Sequence, residues 1–287
     1  MIKFSIGSFS FHRLLGDGKQ DIFQYIKDCK DLGCTHLQPW NAHFARSTSK
    51  EEVNKLGRNP GLPGMPTWCL PPDDDAYIAD IRAAADDAGL PFECIAVDRA
   101  HIFEPTEAQR NENRKLACLW LEVAEKLGAE SMRVDAGGPQ DMPDDVFKII
   151  CEGYADLIER GFDCGVRIIT ENHWGPSVVP ENVVKLLENI DGLGFLFDTN
   201  NWLKERQDEA WDMCAKYAVA THFKTFEFDE EGEEKNVDVR RAVELLVEAG
   251  YDGPWGVESV PSDGDEIGAA AKTIALIRRS LDDLGVR

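Results

Sequence analysis

A short apolar run, a loop and a longer amphipathic stretch recur along the chain. The apolar runs lie near 2–8 (IKFSIGS), 34–38 (CTHLQ), 91–97 (PFECIAV), 129–135 (AESMRVD), 166–171 (VRIITE), 193–198 (LGFLFD), 219–224 (VATHFK) and 254–259 (PWGVES). Their length and composition predict strands. Stretches near 20–32, 74–88, 106–127, 143–160, 179–189, 203–217, 238–249 and 265–284 predict helices. Gly33, Gly89, Gly128, Gly161 and Gly250 stand where a helix would end in a left-handed cap. Strand and helix alternate with no break in composition, the pattern of a parallel sheet with crossover helices. Eight such units in 287 residues fit a closed (β/α)₈ barrel, one domain over 1–287, better than an open doubly wound sheet. No glycine-rich dinucleotide loop follows any strand, which also speaks against the open alternative.

One connection is long. Residues 41–73 separate the second strand from its helix, and the segment is too polar and too rich in proline and glycine to be a core element. Loops of this length are usually functional, so it is expected either to cover a substrate or to sit on the barrel rim as a surface insertion.

In such a barrel alternate strand residues face inward, and active sites form at the C-terminal strand ends. Strand five ends in Glu171-Asn172-His173, with Glu171 and His173 in phase. Strand six ends in Asp198-Thr199-Asn200, with Phe195 and Phe197 facing outward and Asp198 inward. Strand seven gives His222 and Lys224 on one face and Phe223 on the other, and strand eight gives Glu258 opposite Val257. Alone, each acid reads as a helix cap and each imidazole as a structural residue. Together, Glu171, Asp198, His222 and Glu258 place three carboxylates and one imidazole at one mouth. Carboxylates so close repel, and a divalent cation resolves the repulsion. The oxygen-rich set suits Mn²⁺ or Mg²⁺, then Co²⁺; a single His and no thiolate make Zn²⁺ less favoured.

Arg133 and Asp135 share parity after strand four and read either as contacts to sugar hydroxyls or as a salt-bridge layer. Lys224 is positioned to hold an anionic oxygen or to pair with Glu258. His173 is read as a site residue, and Gln38 and Asp98 as weaker strand-end candidates. Trp40, Trp68, Trp174 and Trp202 follow strands, where indoles serve either sugar faces or rim packing. His12, His43 and His101 also lie in loops after strands; a second metal would need some of them.

Composition narrows the partners. With 31 Lys+Arg against 53 Asp+Glu the net charge is −22, which disfavours nucleic acid and anionic membrane surfaces. No apolar run is long enough to span a bilayer, and the N-terminus lacks the features of a signal peptide. The 8 cysteines form no CxxC pair and read as small buried residues in a reducing cytoplasm.

The chain resembles the xylose isomerase-like TIM barrels, the sugar and sugar phosphate isomerase/epimerase group related to endonuclease IV. The resemblance covers essentially the whole chain. It is carried by Glu171-Asn172-His173, Asp198-Thr199-Asn200, His222-Phe223-Lys224 and the closing block from Val237-Asp238 through Ala249-Gly250-Tyr251-Asp252-Gly253-Pro254-Trp255-Gly256-Val257-Glu258. It implies one divalent metal on Glu171, Asp198, His222 and Glu258, with Glu171 and Glu258 flanking a small carbohydrate substrate, and it admits a homo-oligomer. Two departures matter. Asn201 stands where the DNA-repair branch carries a histidine, and the chain has 6 histidines in all, so a DNA-repair endonuclease is disfavoured. His173-Trp174-Gly175 stands where ketose 3-epimerases commonly carry an Arg and a further Glu.

Metal and paired carboxylates suit proton abstraction beside a carbonyl through an enediolate, with one glutamate removing the proton and the other, or His173, returning it. The expectation is a metal-dependent sugar isomerase or epimerase. A lyase, hydrolase or dehydratase acting on a keto-sugar, keto-glycoside or inosose would use the same constellation. A non-catalytic sugar-binding barrel is disfavoured by the complete ligand set.

Overall fold

A computed structural model describes residues 2–44 and 70–286. Seven parallel strands, β1 (Phe4–Ile6), β2 (Cys94–Val97), β3 (Ser131–Val134), β4 (Arg167–Glu171), β5 (Gly194–Asp198), β6 (Ala218–Thr225) and β7 (Trp255–Ser259), form one curled sheet in the order β1-β7-β6-β5-β4-β3-β2. Residues 37–40 sit between the two edge strands through bridges from Gly7 to Gln38, Leu37 to Phe92 and Trp40 to Ala96. The fold is a (β/α)₈ TIM barrel.

The expected second strand at 34–38 is therefore displaced and irregular, and its chemistry explains why. Pro39 has no N–H for a ladder, although its carbonyl accepts from Ala96 N at 2.9 Å. Gln38 N donates instead to the Tyr25 hydroxyl at 2.8 Å, and Trp40 N to Ser8 Oγ at 2.8 Å.

Nine α-helices lie among the described residues: α1 (His12–Gly16), α2 (Ile22–Asp31), α3 (Asp75–Ala88), α4 (Glu107–Leu127), α5 (Asp144–Cys164), α6 (Pro180–Asn189), α7 (Gln207–Cys214), α8 (Val239–Glu248) and α9 (Glu266–Asp283). Local signals start and stop them. Thr106 and Gln109 close a capping box on α4, and the Asp74, Asp238 and Asp265 side chains accept backbone N–H groups at the starts of α3, α8 and α9. Gly89 and Gly128 end α3 and α4 at φ 66 and 67.

Gly161 does not cap. It lies inside α5, which runs on to Gly165 at φ 70. A Cβ on Gly161 would stand 2.5 Å from the Val166 carbonyl oxygen, so glycine is needed there for helix-to-strand approach.

Strand parity divides the interior. Phe4, Ile6, Met132, Val134, Phe195, Phe197, Phe223 and Val257 pack outward against the helices in the main core. Cys94, Ile169, Leu196 and Ala220 form a small cluster inside the barrel. Burying a side chain of Phe or Leu size contributes about 1.5–3 kcal/mol, so the outer layer dominates cohesion and the small inner one leaves the barrel mouth to polar groups.

The connection at 41–73 is described only at its ends. Asn41–Phe44 is a buried 3₁₀ turn, contrary to the expectation of a segment outside the core. Phe44 packs edge-on against Trp120 at 5.4 Å, and His43 hydrogen-bonds Ser8 Oγ at 2.9 Å. Residues 45–69, with Trp68 and the covering role expected of the loop, lie outside the described residues. No helix among the described residues is long and apolar enough to cross a membrane.

Candidate metal centre and active site

The ends of β4, β5, β6 and β7 converge. Ligand atoms of Glu171, Asp198, His222 and Glu258 all lie within 4.8 Å of one another, and all four residues are buried. His222 Nδ1 is 3.1 Å from Glu171 Oε1, 2.9 Å from Glu258 Oε2 and 4.0 Å from Asp198 Oδ2. The period of two along each strand sends these side chains inward while Phe197, Phe223 and Val257 go out.

The backbone around Asp198 is clamped. Asn172 donates through its amide to the Asp198 carbonyl at 2.9 Å and accepts from Asp198 N at 2.8 Å. Asp198 Oδ1 accepts from Asn200 N at 2.7 Å and Asn201 N at 2.8 Å. That leaves Oδ2 turned to the cluster, accepting no hydrogen bond from the described residues, and Glu171 Oε2 likewise accepts none from them. Buried oxygens that converge without donors fit a cation, since a desolvated carboxylate is costly unless paired or ligating. The donor set passes the same test: three carboxylates and one imidazole are ordinary ligands for a divalent ion.

Two cations of the protein share the mouth. Arg133 Nε is 3.0 Å from Glu171 Oε2, without hydrogen-bond geometry. Lys224 Nζ is 3.4 Å from Asp198 Oδ2, 3.4 Å from Glu258 Oε1 and 3.0 Å from Asn201 Oδ1. Burial works against ionising Glu258, yet Lys224 and His222 hold it well below the usual carboxylate range. Glu171 is lowered despite burial by His222 and Arg133. Asp198 is raised, burial and the two glutamates prevailing over Lys224. Burial disfavours charge on His222, but Glu171 and Glu258 hold its imidazole up at about 10.

A second polar group adjoins the first. Asp135 Oδ2 accepts from His173 Nδ1 at 2.9 Å, Trp174 Nε1 at 3.1 Å and Arg133 at 3.1 Å. Asp98 accepts from Arg133 at 2.8 Å and from Trp40 Nε1 at 2.8 Å. His173 is held up at about 9: burial opposes its charge, but Asp135 and Glu171 outweigh it. Ligand atoms of Asp98, Asp135 and His173 also cluster within 4.8 Å, but the Arg133 guanidinium already occupies the two acids.

The structure thus brings Glu171, Asp198, His222, Glu258, Lys224, Arg133, Asp135, His173, Trp174, Trp40 and Asp98 into one connected region. Gln38 lies deeper, inside the barrel, where its side-chain oxygen would be 3.6 Å from a Cβ on Gly7 and 2.9 Å from one on Gly256. Trp202 is set apart against Phe195 and Phe197, at 6.3 Å from each. His12 stacks on Phe9 at 4.6 Å, and His101 meets Trp174 at 4.3 Å. Burial pushes His43 down to about 3, so it is a neutral core group. Asn172 and Asn201 are the residues that strand-end reasoning passed over. Asn172 stands inside the Glu171-Asn172-His173 motif and Asn201 marks the departure from the DNA-repair branch, but neither pattern shows that their amides bind the Asp198 backbone and Lys224.

The family model for xylose isomerase-like TIM barrels matches residues 26–280. No curated protein sequence matches the chain significantly. Solved structures similar in fold include the 3-keto-D-glucoside 4-epimerase YcjR from E. coli, at TM-score 0.67 and 15% identity, covering 97% of this chain and 100% of that one. A xylose isomerase-like TIM barrel protein from Mycobacterium smegmatis in complex with magnesium has TM-score 0.67 and 15% identity, with 99% and 97% covered. The probable 3-DHS dehydratase AsbF of Bacillus anthracis has TM-score 0.65 and 11% identity, with 96% and 98% covered.

Proposed function

Because the chain belongs to the xylose isomerase-like TIM barrel family, we propose that it is a divalent-metal-dependent sugar isomerase or epimerase working through an enediolate by carboxylate acid/base catalysis. The observation that carries this reading is the convergence of Glu171, Asp198, His222 and Glu258 within 4.8 Å. These four residues would hold the ion, with Mn²⁺ favoured and Mg²⁺, Co²⁺ or Zn²⁺ as alternatives. When bound, the ion supplies Lewis-acid polarisation of a substrate carbonyl and the hydroxyl beside it.

The protein's own groups divide the remaining work. Glu171 and Glu258 both reach His222 Nδ1, at 3.1 and 2.9 Å, and one takes the proton from the carbon beside the carbonyl. The other, or His173, returns it. His173 carries a proton at neutral pH because Asp135 holds it there, which suits a donor. Lys224, Arg133 and Asp135 present charge and hydrogen bonds to substrate oxygens, while Trp40 and Trp174 present indole faces to the sugar ring. The substrate is a small carbohydrate, and the setting is the cytoplasm. Neither nucleic acid nor membrane is a partner in this reading.

A protonated His173 beside the glutamates also favours a second reading. It can protonate a departing oxygen, which would make the protein a lyase or dehydratase on a keto-sugar, keto-glycoside or inosose. Incubating Mn²⁺-loaded protein with ketoses in deuterated water and following the carbon beside the carbonyl by NMR separates the two. Deuterium incorporation supports isomerase or epimerase chemistry. No incorporation, with loss of water or cleavage of a keto-glycoside, transfers the assignment to the lyase.

A further inference from the structure

The barrel interior behind the candidate metal centre holds polar atoms that the proposed mechanism does not use. Gln38, Glu93 and Ser5 are buried, and among the described residues both side-chain ends of Gln38, both Glu93 oxygens and Ser5 Oγ lack hydrogen bonds. His222 Nε2 joins them. Buried polar atoms are normally paired, so a group of orphans in one place is a built feature.

Their placement has a direction. His222 turns Nδ1 toward the carboxylates, so Nε2 faces back into the barrel. Gly7, just after β1, leaves room there. A Cβ on Gly7 would stand 3.2 Å from His222 Nε2 and 3.6 Å from Gln38 Oε1, so both atoms border the same small space. Gly7 has φ −60 and ψ 120, a conformation open to any residue, so space and not backbone strain calls for glycine.

We propose that Gln38 is a positioning residue for His222, its side-chain oxygen accepting the Nε2 proton across this space and so presenting the Nδ1 lone pair to the metal. The proposal rests on the metal-centre reading above. A metal-bound histidine needs an acceptor for its second N–H, which fixes its tautomer and ring orientation. Among the orphaned atoms of the barrel interior, Gln38 Oε1, which borders the same space as Nε2, supplies one. Gln38 thereby acts on a ligand rather than on the sugar.

The test compares wild type, Gln38→Leu and Gln38→Glu by Mn²⁺ calorimetry, by the visible spectrum of the Co²⁺-loaded protein and by thermal unfolding without metal. Gln38→Leu removes the acceptor at similar size and is expected to weaken Mn²⁺ binding about 10- to 100-fold and to shift the Co²⁺ bands, with the metal-free melting temperature not lowered. Gln38→Glu keeps an acceptor and is expected to retain affinity. Wild-type affinity and an unchanged spectrum in Gln38→Leu overturn the proposal, as does an equal loss in Gln38→Glu, which would mark a requirement for shape alone. Should Gln38→Leu not fold, Gly7→Ala, whose methyl enters the shared space, carries the same expectation and the same refutation. A wild-type protein that binds neither Mn²⁺ nor Co²⁺ overturns the metal-centre reading itself, and this proposal with it.

Discussion

Glu93 offers the sharpest check on the polar interior. Burial raises its carboxyl from 4.5 to about 8, with His222 and Ser5 only partly opposing the rise. The folded protein therefore holds this proton more tightly than the unfolded chain does. For a raised pKa the associated stability is full below 4.5, declines as pH rises and levels off above about 8. At pH 7 the forced protonation or buried charge costs about 3 kcal/mol, and at pH 5 about 1 kcal/mol, from 1.36 kcal/mol per unit of pKa difference. Glu93→Gln removes the titration while keeping size and an acceptor oxygen. It is expected to raise the unfolding free energy of the metal-free protein by an amount approaching those figures, larger at pH 7 than at pH 5. Urea unfolding in the presence of a chelator at the two pH values measures it. A variant no more stable than wild type at pH 7, or one with the same gain at both pH values, would refute the reasoning. A gain of this kind is what is expected where a protein keeps a costly buried group for function.

His43 acts in the opposite direction. Its folded value, pushed down to about 3 from 6.5 by burial, makes stability present above 6.5 and lost as pH falls, so wild type should lose about 2 kcal/mol more than His43→Gln between pH 7 and pH 5. Equal losses in the two proteins would rule this out. Glu171→Gln and Glu258→Gln are expected to lower deuterium exchange about 10²- to 10⁴-fold and to weaken Mn²⁺ binding; full exchange in either variant would sink the acid/base assignment. Because Glu171 and Glu258 hold His222 up at about 10, Mn²⁺ uptake at pH 7 should release about one proton and tighten as pH rises. Calorimetry in buffers of different ionisation enthalpy reads that proton, and buffer-independent heats would contradict it. Lys224→Met removes a cation 3.4 Å from both Asp198 and Glu258, so Mn²⁺ affinity should rise by about tenfold while turnover falls. Weaker metal binding in that variant would mean that Lys224 supports the ligands instead of competing for them.

Much of this architecture was written in local pattern. Seven of the eight expected strands and all eight expected helical stretches have counterparts in the described chain, because alternating burial and helix caps act over a few residues. The exception at 34–38 shows where pattern stops: Pro39 and the Tyr25 hydroxyl reroute the hydrogen bonds, and Tyr25 is distant in sequence. Gly161 looked like a cap because helix-ending and helix-packing glycines are alike in sequence; only contact with Val166 tells them apart. The inward phase of Glu171, Asp198, His222 and Glu258 was legible from the period of two. Side-chain contacts between the ends of neighbouring strands were not, among them Arg133 with Glu171, Asn172 with Asp198 and Asn201 with Lys224. Glu93 was hidden for another reason, since it lies just before β2 at an irregular bridge and carries no regular phase.

The electrostatics of the mouth refine what its acids imply. Repulsion among carboxylates calls for positive charge of any kind, and the protein supplies some of its own through Arg133 and Lys224. With these cations and a protonated His222 in place, Glu171 and Glu258 are comfortably ionised, and of the three acids only Asp198 is raised. Net acidity therefore does not distinguish a metal centre from a balanced ion-pair network. Direction does. Backbone amides after β5 occupy Asp198 Oδ1, and Asn172 fixes the strand end, so Oδ2 is left facing the imidazole, the two glutamates and the Lys224 ammonium 3.4 Å away, in no hydrogen bond with the described residues. An ion-pair network would spend hydrogen bonds on that oxygen, because an unsatisfied buried carboxylate oxygen is costly. A metal centre has to keep it bare, and the same logic extends to Glu171 Oε2, which Arg133 approaches without hydrogen-bond geometry. The lone pairs left free, more than the number of charges, carry the case for a divalent ion at this mouth.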